Sequence, residues 1–175
     1  MLGIERISKV GRLLVQFDRW AVHEMVLTKE KFDWLWEESR QYPSLYSSLD
    51  DHWKLSLAHK VTEPRSLWYE VYEPDRLIGL IYINDISVIN AEFHVYFFDR
   101  KVKEKVPLCR EMIRYLFQTY HFHRLSMDVP AIYHATIRMA KSIGFRPEGK
   151  RRSWGLLGGK WVDYMMFGLL AEEMD

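Results

Sequence analysis

The stretch Ala91-Glu92-Phe93-His94-Val95-Tyr96-Phe97-Phe98, followed by Asp99-Arg100-Lys101-Val102-Lys103-Glu104-Lys105 and then Val106-Pro107-Leu108-Cys109, decides how the chain folds. Its first part is dense in aromatic and β-branched side chains, the composition of a strand. The middle part carries four positive and two negative side chains and reads as a loop. Pro107 sits where a helix would begin, a position that needs no backbone N–H and suits the fixed φ of proline. From Leu108 onward the apolar residues fall at helical spacing, as Leu108/Cys109, Met112/Ile113, Leu116/Phe117 and Tyr120. A strand, a short loop and a helix N-terminus converge free N–H groups and the positive end of the helix dipole on one spot. This junction is therefore expected to hold a phosphate-bearing ligand.

Working outward, a second strand-helix pair follows. Arg124–Val129 is a short strand, and the helix before it is a crossover, so this strand should lie parallel to the one at Ala91. Ile132–Ile143 reads as a helix stopped by Gly144. Two strands close the chain, from Phe145 to Arg152 and from Trp161 to Leu170, with Gly158-Gly159 as the turn between them. On the N-terminal side, Ser66–Tyr72 and Leu77–Asn84 form a hairpin about Pro74-Asp75, and with the strand at Ala91 they make an antiparallel meander. Ser48, with Asp51 three residues on, opens a helix striped by Trp53, Leu57 and Val61; Thr28 caps one through Arg40 with Phe32, Leu35 and Trp36 on one face. Leu13–Phe17 is a candidate first strand, and Ala21–Leu27 is compatible with strand, loop or helix. The fold class expected is α/β (α+β): a mixed, mostly antiparallel sheet with helices on both faces.

At 175 residues the chain fits one domain, 1–175, and its 48% hydrophobic content is enough for a sizeable core. The net charge of +1 gives no global case for nucleic acid or membrane binding, so charge matters only locally. One cysteine, Cys109, excludes an internal disulfide and a cysteine-rich zinc site; its place on the apolar helix face reads as a buried thiol. Neither a signal peptide core nor a run near the ~20 apolar residues needed to span a bilayer is present, so a cytoplasmic location is expected.

The order of elements, together with specific residues, resembles the GNAT superfamily of acyl-CoA-dependent N-acyltransferases. The residues that carry the likeness are Phe98-Asp99-Arg100-Lys101, Arg110-Glu111 and Phe122-His123-Arg124-Leu125. Downstream lie Lys141-Ser142-Ile143-Gly144-Phe145-Arg146-Pro147-Glu148-Gly149, Gly159-Lys160-Trp161-Val162-Asp163-Tyr164 and Gly168-Leu169-Leu170. The runs Lys141–Gly149 and Gly159–Tyr164 resemble the Rim-type branch, which acetylates protein N-termini and small amines. The likeness spans residues 66–172. It implies acetyl-CoA as cofactor, its pantetheine arm in a gap between the strands at Ala91 and Arg124 against Val95, Tyr96 and Phe97. It implies the pyrophosphate on the loop amides of Arg100, Lys101, Val102, Lys103, Glu104, Lys105 and Val106, with Tyr133 and Thr136 on the next helix also near the cofactor. A backbone N–H would polarise the thioester and the amine would attack directly, without an acyl-enzyme. Two departures stand out. The loop has none of the family's glycines, and Glu104 occupies a glycine position, which predicts weaker cofactor binding. Tyr133 replaces a usual asparagine, and Ala140 stands where a tyrosine often serves as general acid.

Candidate bases follow from strand geometry. Glu92 and His94 alternate onto one face of the central strand and could deprotonate an incoming ammonium; Glu70 on the hairpin is a third candidate. The alternative for each is an ordinary buried polar group. His121-Phe122-His123 lacks a neighbouring carboxylate or cysteine and reads as surface rather than metal ligand. Lys150-Arg151-Arg152 reads as a solvated strand end. Trp34, Trp36, Trp53 and Trp68 read as core or cleft lining. The expected function is transfer of an acetyl group to a primary amine, on a protein N-terminus or a small molecule. A homodimer is compatible with the edge strands; membrane and nucleic-acid partners are not expected. The competing reading is a non-catalytic binding module whose glycine-free loop no longer holds the cofactor.

Overall fold

The computed structural model describes residues 10–41, 58–59, 61–73, 76–98 and 104–174. Eight strands form one sheet: β1 (Val10–Phe17), β2 (Trp20–Met25), β3 (Leu67–Glu73), β4 (Arg76–Asn84), β5 (Asn90–Phe97), β6 (Arg124–Pro130), β7 (Arg146–Leu157) and β8 (Lys160–Leu170). Their spatial order is β1-β2-β3-β4-β5-β6-β8-β7. Every neighbouring pair is antiparallel except β5 and β6, which the helix between them forces to run parallel. Among the described residues the long helices are α1 (Lys29–Gln41), α2 (Lys105–Tyr120) and α3 (His134–Ile143).

The helices divide between the two faces. The apolar stripe of α2 (Leu108, Cys109, Met112, Ile113, Leu116 and Phe117) is buried, and with Ala140 and Ile143 of α3 it packs on the inward side chains Ala91, Phe93, Leu125, Met127 and Val129. Each such fully buried side chain contributes about 1.5–3 kcal/mol relative to exposure. The opposite face carries a smaller cluster in which Leu35 of α1 meets Leu80, ringed by Phe32, Trp34, Trp36 and Trp68. Thr28 caps α1 as its sequence suggests, its Oγ1 accepting the Lys31 N–H at 3.2 Å.

Three readings shift. Trp20–Met25 is a strand, β2, held between β1 and β3. Helix α2 begins at Lys105, so Pro107 is its third residue rather than its first; that N–H is one of the donors without an intrahelical partner, so proline is equally tolerated there. The final hairpin is longer than its apolar residues suggest, reaching Leu157 and Lys160 about a turn in which Gly158 and Gly159 take φ of 55° and 74°. The helix expected from Ser48 lies largely outside the described residues, as does Trp53. Cys109 is buried, and burial pushes its thiol up to about 12.

Candidate active site

The site begins where two strands part. β5 and β6 pair through three residues only, Asn90 with Arg124, Ala91 with Leu125 and Glu92 with Ser126. Beyond that point β5 follows β4, pairing on as far as Phe97 with Gly79. β6 instead follows β8, pairing on to Pro130 with Tyr164. Each strand obeys its longer antiparallel ladder, and the sheet opens into a wedge. Its apex is tied by Ser126, whose hydroxyl donates to the Ala91 carbonyl at 3.3 Å.

The wedge is a gap of about 110 Å³ whose walls include His94, Val95, Tyr96, Asp128, Tyr133 and Thr136. Among the described residues, the edge of β5 from Phe93 to Phe97 has no strand partner on this side, so its backbone polar groups face the gap. Four of the residues expected beside a cofactor therefore line one opening. Lys105 sits 5.1 Å from the centre of the Phe97 ring, at the start of α2. Residues 99–103 lie outside the described residues, and with them Arg100, Lys101, Val102 and Lys103. Glu104 is described. It is exposed and takes φ 55°, ψ 27°, a left-handed conformation directly before α2. The position expected to want glycine does adopt a positive φ; a glutamate holds it here. The first turn of α2 carries no acidic residue, and Glu104 stands directly before it. The opening and the unpartnered strand edge fit an extended thioester arm.

On the α1 side of the sheet a second cavity, of about 210 Å³, adjoins the wedge. It is lined by the carboxylates of Asp85, Glu92, Asp128 and Glu148 and by Arg124 and Arg151. Arg124 is committed to Glu148 through both guanidinium nitrogens, one at 2.6 Å, and Arg151 to Asp128 at 2.5 Å. Gly168 makes room for the first pair: a Cβ there would lie 2.5 Å from the Arg124 guanidinium and 2.4 Å from Glu148. Among the described residues that line it, four carboxylates face two arginines. Burial, then the hydrogen bond and charge of Glu92, hold Asp85 above the usual carboxylate range; burial and the Glu92 charge do the same to Asp128. Asp128 borders both openings.

Glu92 and His94 do share one face, with Glu92 Oε2 3.6 Å from His94 Nε2. His94 Nε2 also lies 2.6 Å from Asn84 Oδ1, and its ring stacks on Tyr82 at 4.1 Å and 5°. Glu70 is corrected. It is fully buried beneath α1 and ion-paired with Lys31 at 2.7 Å, so no acceptor amine reaches it. Lys150 and Arg151 are not merely solvated either: they pair with Asp163 at 2.8 Å and with Asp128 at 2.5 Å. Asn84, Asp85 and Asp128 escaped the sequence reading. The only signal for them was acidic or amide residues at strand ends, which is common. Among the described residues no three metal-ligating side chains cluster, and no helix is long and apolar enough to cross a membrane.

A family model described as an acetyltransferase (GNAT) domain matches residues 27–166. The ribosomal protein uS5-alanine N-acetyltransferase of Escherichia coli (strain K12) is 23% identical over 178 residues, covering 94% of this chain and 88% of that protein. Among solved structures, the spermidine N-acetyltransferase of Vibrio cholerae in complex with CoA and spermine superposes with a TM-score of 0.72 at 16% identity, over 89% of this chain and 98% of that one. The ribosomal-protein-S5-alanine acetyltransferase of Vibrio fischeri gives 0.69 at 13% identity, over 92% and 98%.

Proposed function

The chain belongs to the GNAT family of acetyltransferases, and on that premise we propose that it carries an acetyl group from acetyl-CoA, held in the wedge between β5 and β6, to a cationic primary amine seated in the acidic cavity. The observation that carries this reading is the meeting of the two openings at Asp128, with Glu92 on the acceptor side and His94 on the cofactor side. The excess of carboxylate attracts an ammonium and disfavours an anionic acceptor. The two relatives' names give as acceptors an alanine of ribosomal protein uS5 and spermidine, and an amine of either kind is an ammonium ion near neutral pH.

Acetyl-CoA supplies the activated acyl group; the chain's own residues do the rest. Val95, Tyr96 and the unpartnered backbone edge of β5 hold the cofactor arm, with Phe97 and the α2 N-terminus (Glu104, Lys105, Val106) at its far end and Tyr133 and Thr136 on the other wall. Asp85 and Glu92 draw the ammonium in. Glu92 and His94 remove its proton, so that the neutral amine attacks directly. The test is incubation with acetyl-CoA and two acceptors, an alanine-initiated peptide and spermidine, read by mass spectrometry and CoA release. A mass gain of one acetyl group on either supports the reading. No gain on both, and no CoA-dependent rise in melting temperature at millimolar acetyl-CoA, overturns it in favour of a non-catalytic module.

A further inference from the structure

The polar contact that defines His94 most tightly comes from a residue with no assigned part in the chemistry. Asn84 lies on β4 opposite Glu92, and Tyr82 lies opposite His94, so Asn84 is the diagonal neighbour of His94 across the ladder. Its side-chain oxygen is 2.6 Å from His94 Nε2. That oxygen has no proton to give, so Nε2 must carry one. In the neutral ring the lone pair is then on Nδ1. Among the described residues Nδ1 has no hydrogen-bond partner, while the ring it belongs to borders the cofactor wedge. Rotation is blocked as well: the imidazole lies on Tyr82 at 4.1 Å and 5°, and Tyr82 lies on Trp68 at 4.6 Å and 12°.

We propose that Asn84 is a positioning residue for proton transfer: it fixes His94 as the Nε2–H tautomer and so assigns the proton-accepting lone pair to Nδ1. The inference rests on the function proposed above. An N–H bond of the acceptor ammonium breaks, its electron pair stays on the amine nitrogen, and Nδ1 forms the new N–H bond. The resulting imidazolium is held by Asn84 and by Glu92 Oε2, 3.6 Å from Nε2. The proton then passes to solvent. The groups whose charge acts on this ring are Glu92 on its own strand, Asp85 after β4, and Asp128 on β6, the last matched by Arg151 of β7. Tyr82 covers it without charge.

The test uses the full chain as wild type and as Asn84→Asp, Asn84→Leu and His94→Gln. Two-bond ¹H–¹⁵N spectra report the tautomer and titration of His94 independently of turnover. The wild type should show a protonated Nε2 and a bare Nδ1. Asn84→Asp should raise the titration midpoint by half a pH unit or more and move the acidic limb of the kcat/KM profile up with it. Asn84→Leu should mix the tautomers and lower kcat at least tenfold while the KM for acetyl-CoA stays within twofold; His94→Gln should abolish the limb. A protonated Nδ1 in the wild type, or an Asn84→Asp profile superimposable on that of the wild type, overturns the proposal. If the wild type acetylates no amine, the functional reading falls and this one with it; an active wild type with an unmoved profile sinks this one alone.

Discussion

Glu70 and Glu92 project from the same face of the sheet, on β3 and β5, and their surroundings differ in kind. Glu70 lies under α1 with no exposure, and one lysine, Lys31, meets it at 2.7 Å. Burial lifts its carboxyl, and Lys31 and then Tyr72 draw it back. Glu92 borders a cavity with Asp85 and Asp128, where carboxylates outnumber the arginines and both arginines are already matched. One site is closed by its own counter-charge and fastens a helix to the sheet. The other holds more carboxylates than arginines among the described residues, the balance that the proposed ammonium acceptor would meet.

The comparison breaks most visibly at Glu70. Glu70→Ala should cost about 3–5 kcal/mol, because Lys31 is left buried and unmatched, whereas Lys31→Met with Glu70→Leu should restore stability to within about 1 kcal/mol of wild type. Urea denaturation checks both; a loss below about 1 kcal/mol for Glu70→Ala means the pair is not sealed as described. At the open site the effect should fall on rate. Glu92→Ala combined with His94→Ala should lower kcat about a hundredfold, or about 2.7 kcal/mol in the barrier, with CoA affinity by calorimetry nearly unchanged. Unchanged turnover removes both as bases.

A third carboxylate sharpens the contrast, since Glu104 is exposed, has no ion-pair partner among the described residues, and is held at φ 55° before α2. Glu104→Gly should relieve about 1 kcal/mol of backbone strain and remove a negative charge from the helix start. Melting temperature and CoA affinity should both rise; a flat or weaker affinity refutes this account of the loop. The smallest effect expected is on pH dependence. Asp85 and Asp128 are held above the unfolded carboxylate value of about 3.9, so between that value and their raised ones the folded chain binds more protons than the unfolded chain. Their contribution to stability therefore falls as pH rises through that window and is level above it. Asp85→Asn should flatten this slope in denaturation measured from pH 4 to 8. A steeper slope in the variant would contradict the crowding of charge described.

The architecture was largely legible because its signals are local. The aromatic strand at Ala91, the helical spacing from Leu108, the Gly158-Gly159 turn and the short Arg124 strand each follow from neighbours in sequence. β2 was not legible, because His23 and Glu24 interrupt its apolar pattern; pairing between β1 and β3 decides it. Glu92 and His94 could be placed together by strand alternation alone. Asn84 and Asp128 could not, since the first reaches His94 across one ladder and the second stands on the far side of a wedge. Glu70 passed for a base because nothing near it in the chain announces Lys31, which arrives on a helix 39 residues earlier and from the facing layer.

By itself, the sequence determined most of the elements, the crossover from β5 to β6, and which side chains of a strand share a face. Those follow from period, turn chemistry and sterics acting over a few residues. Only the tertiary structure decided where β5 and β6 part, which carboxylates meet an arginine or a lysine, and which polar groups meet His94 Nε2. Each of these depends on groups brought together from distant parts of the chain, and electrostatic energy depends on their separation in space rather than along the backbone.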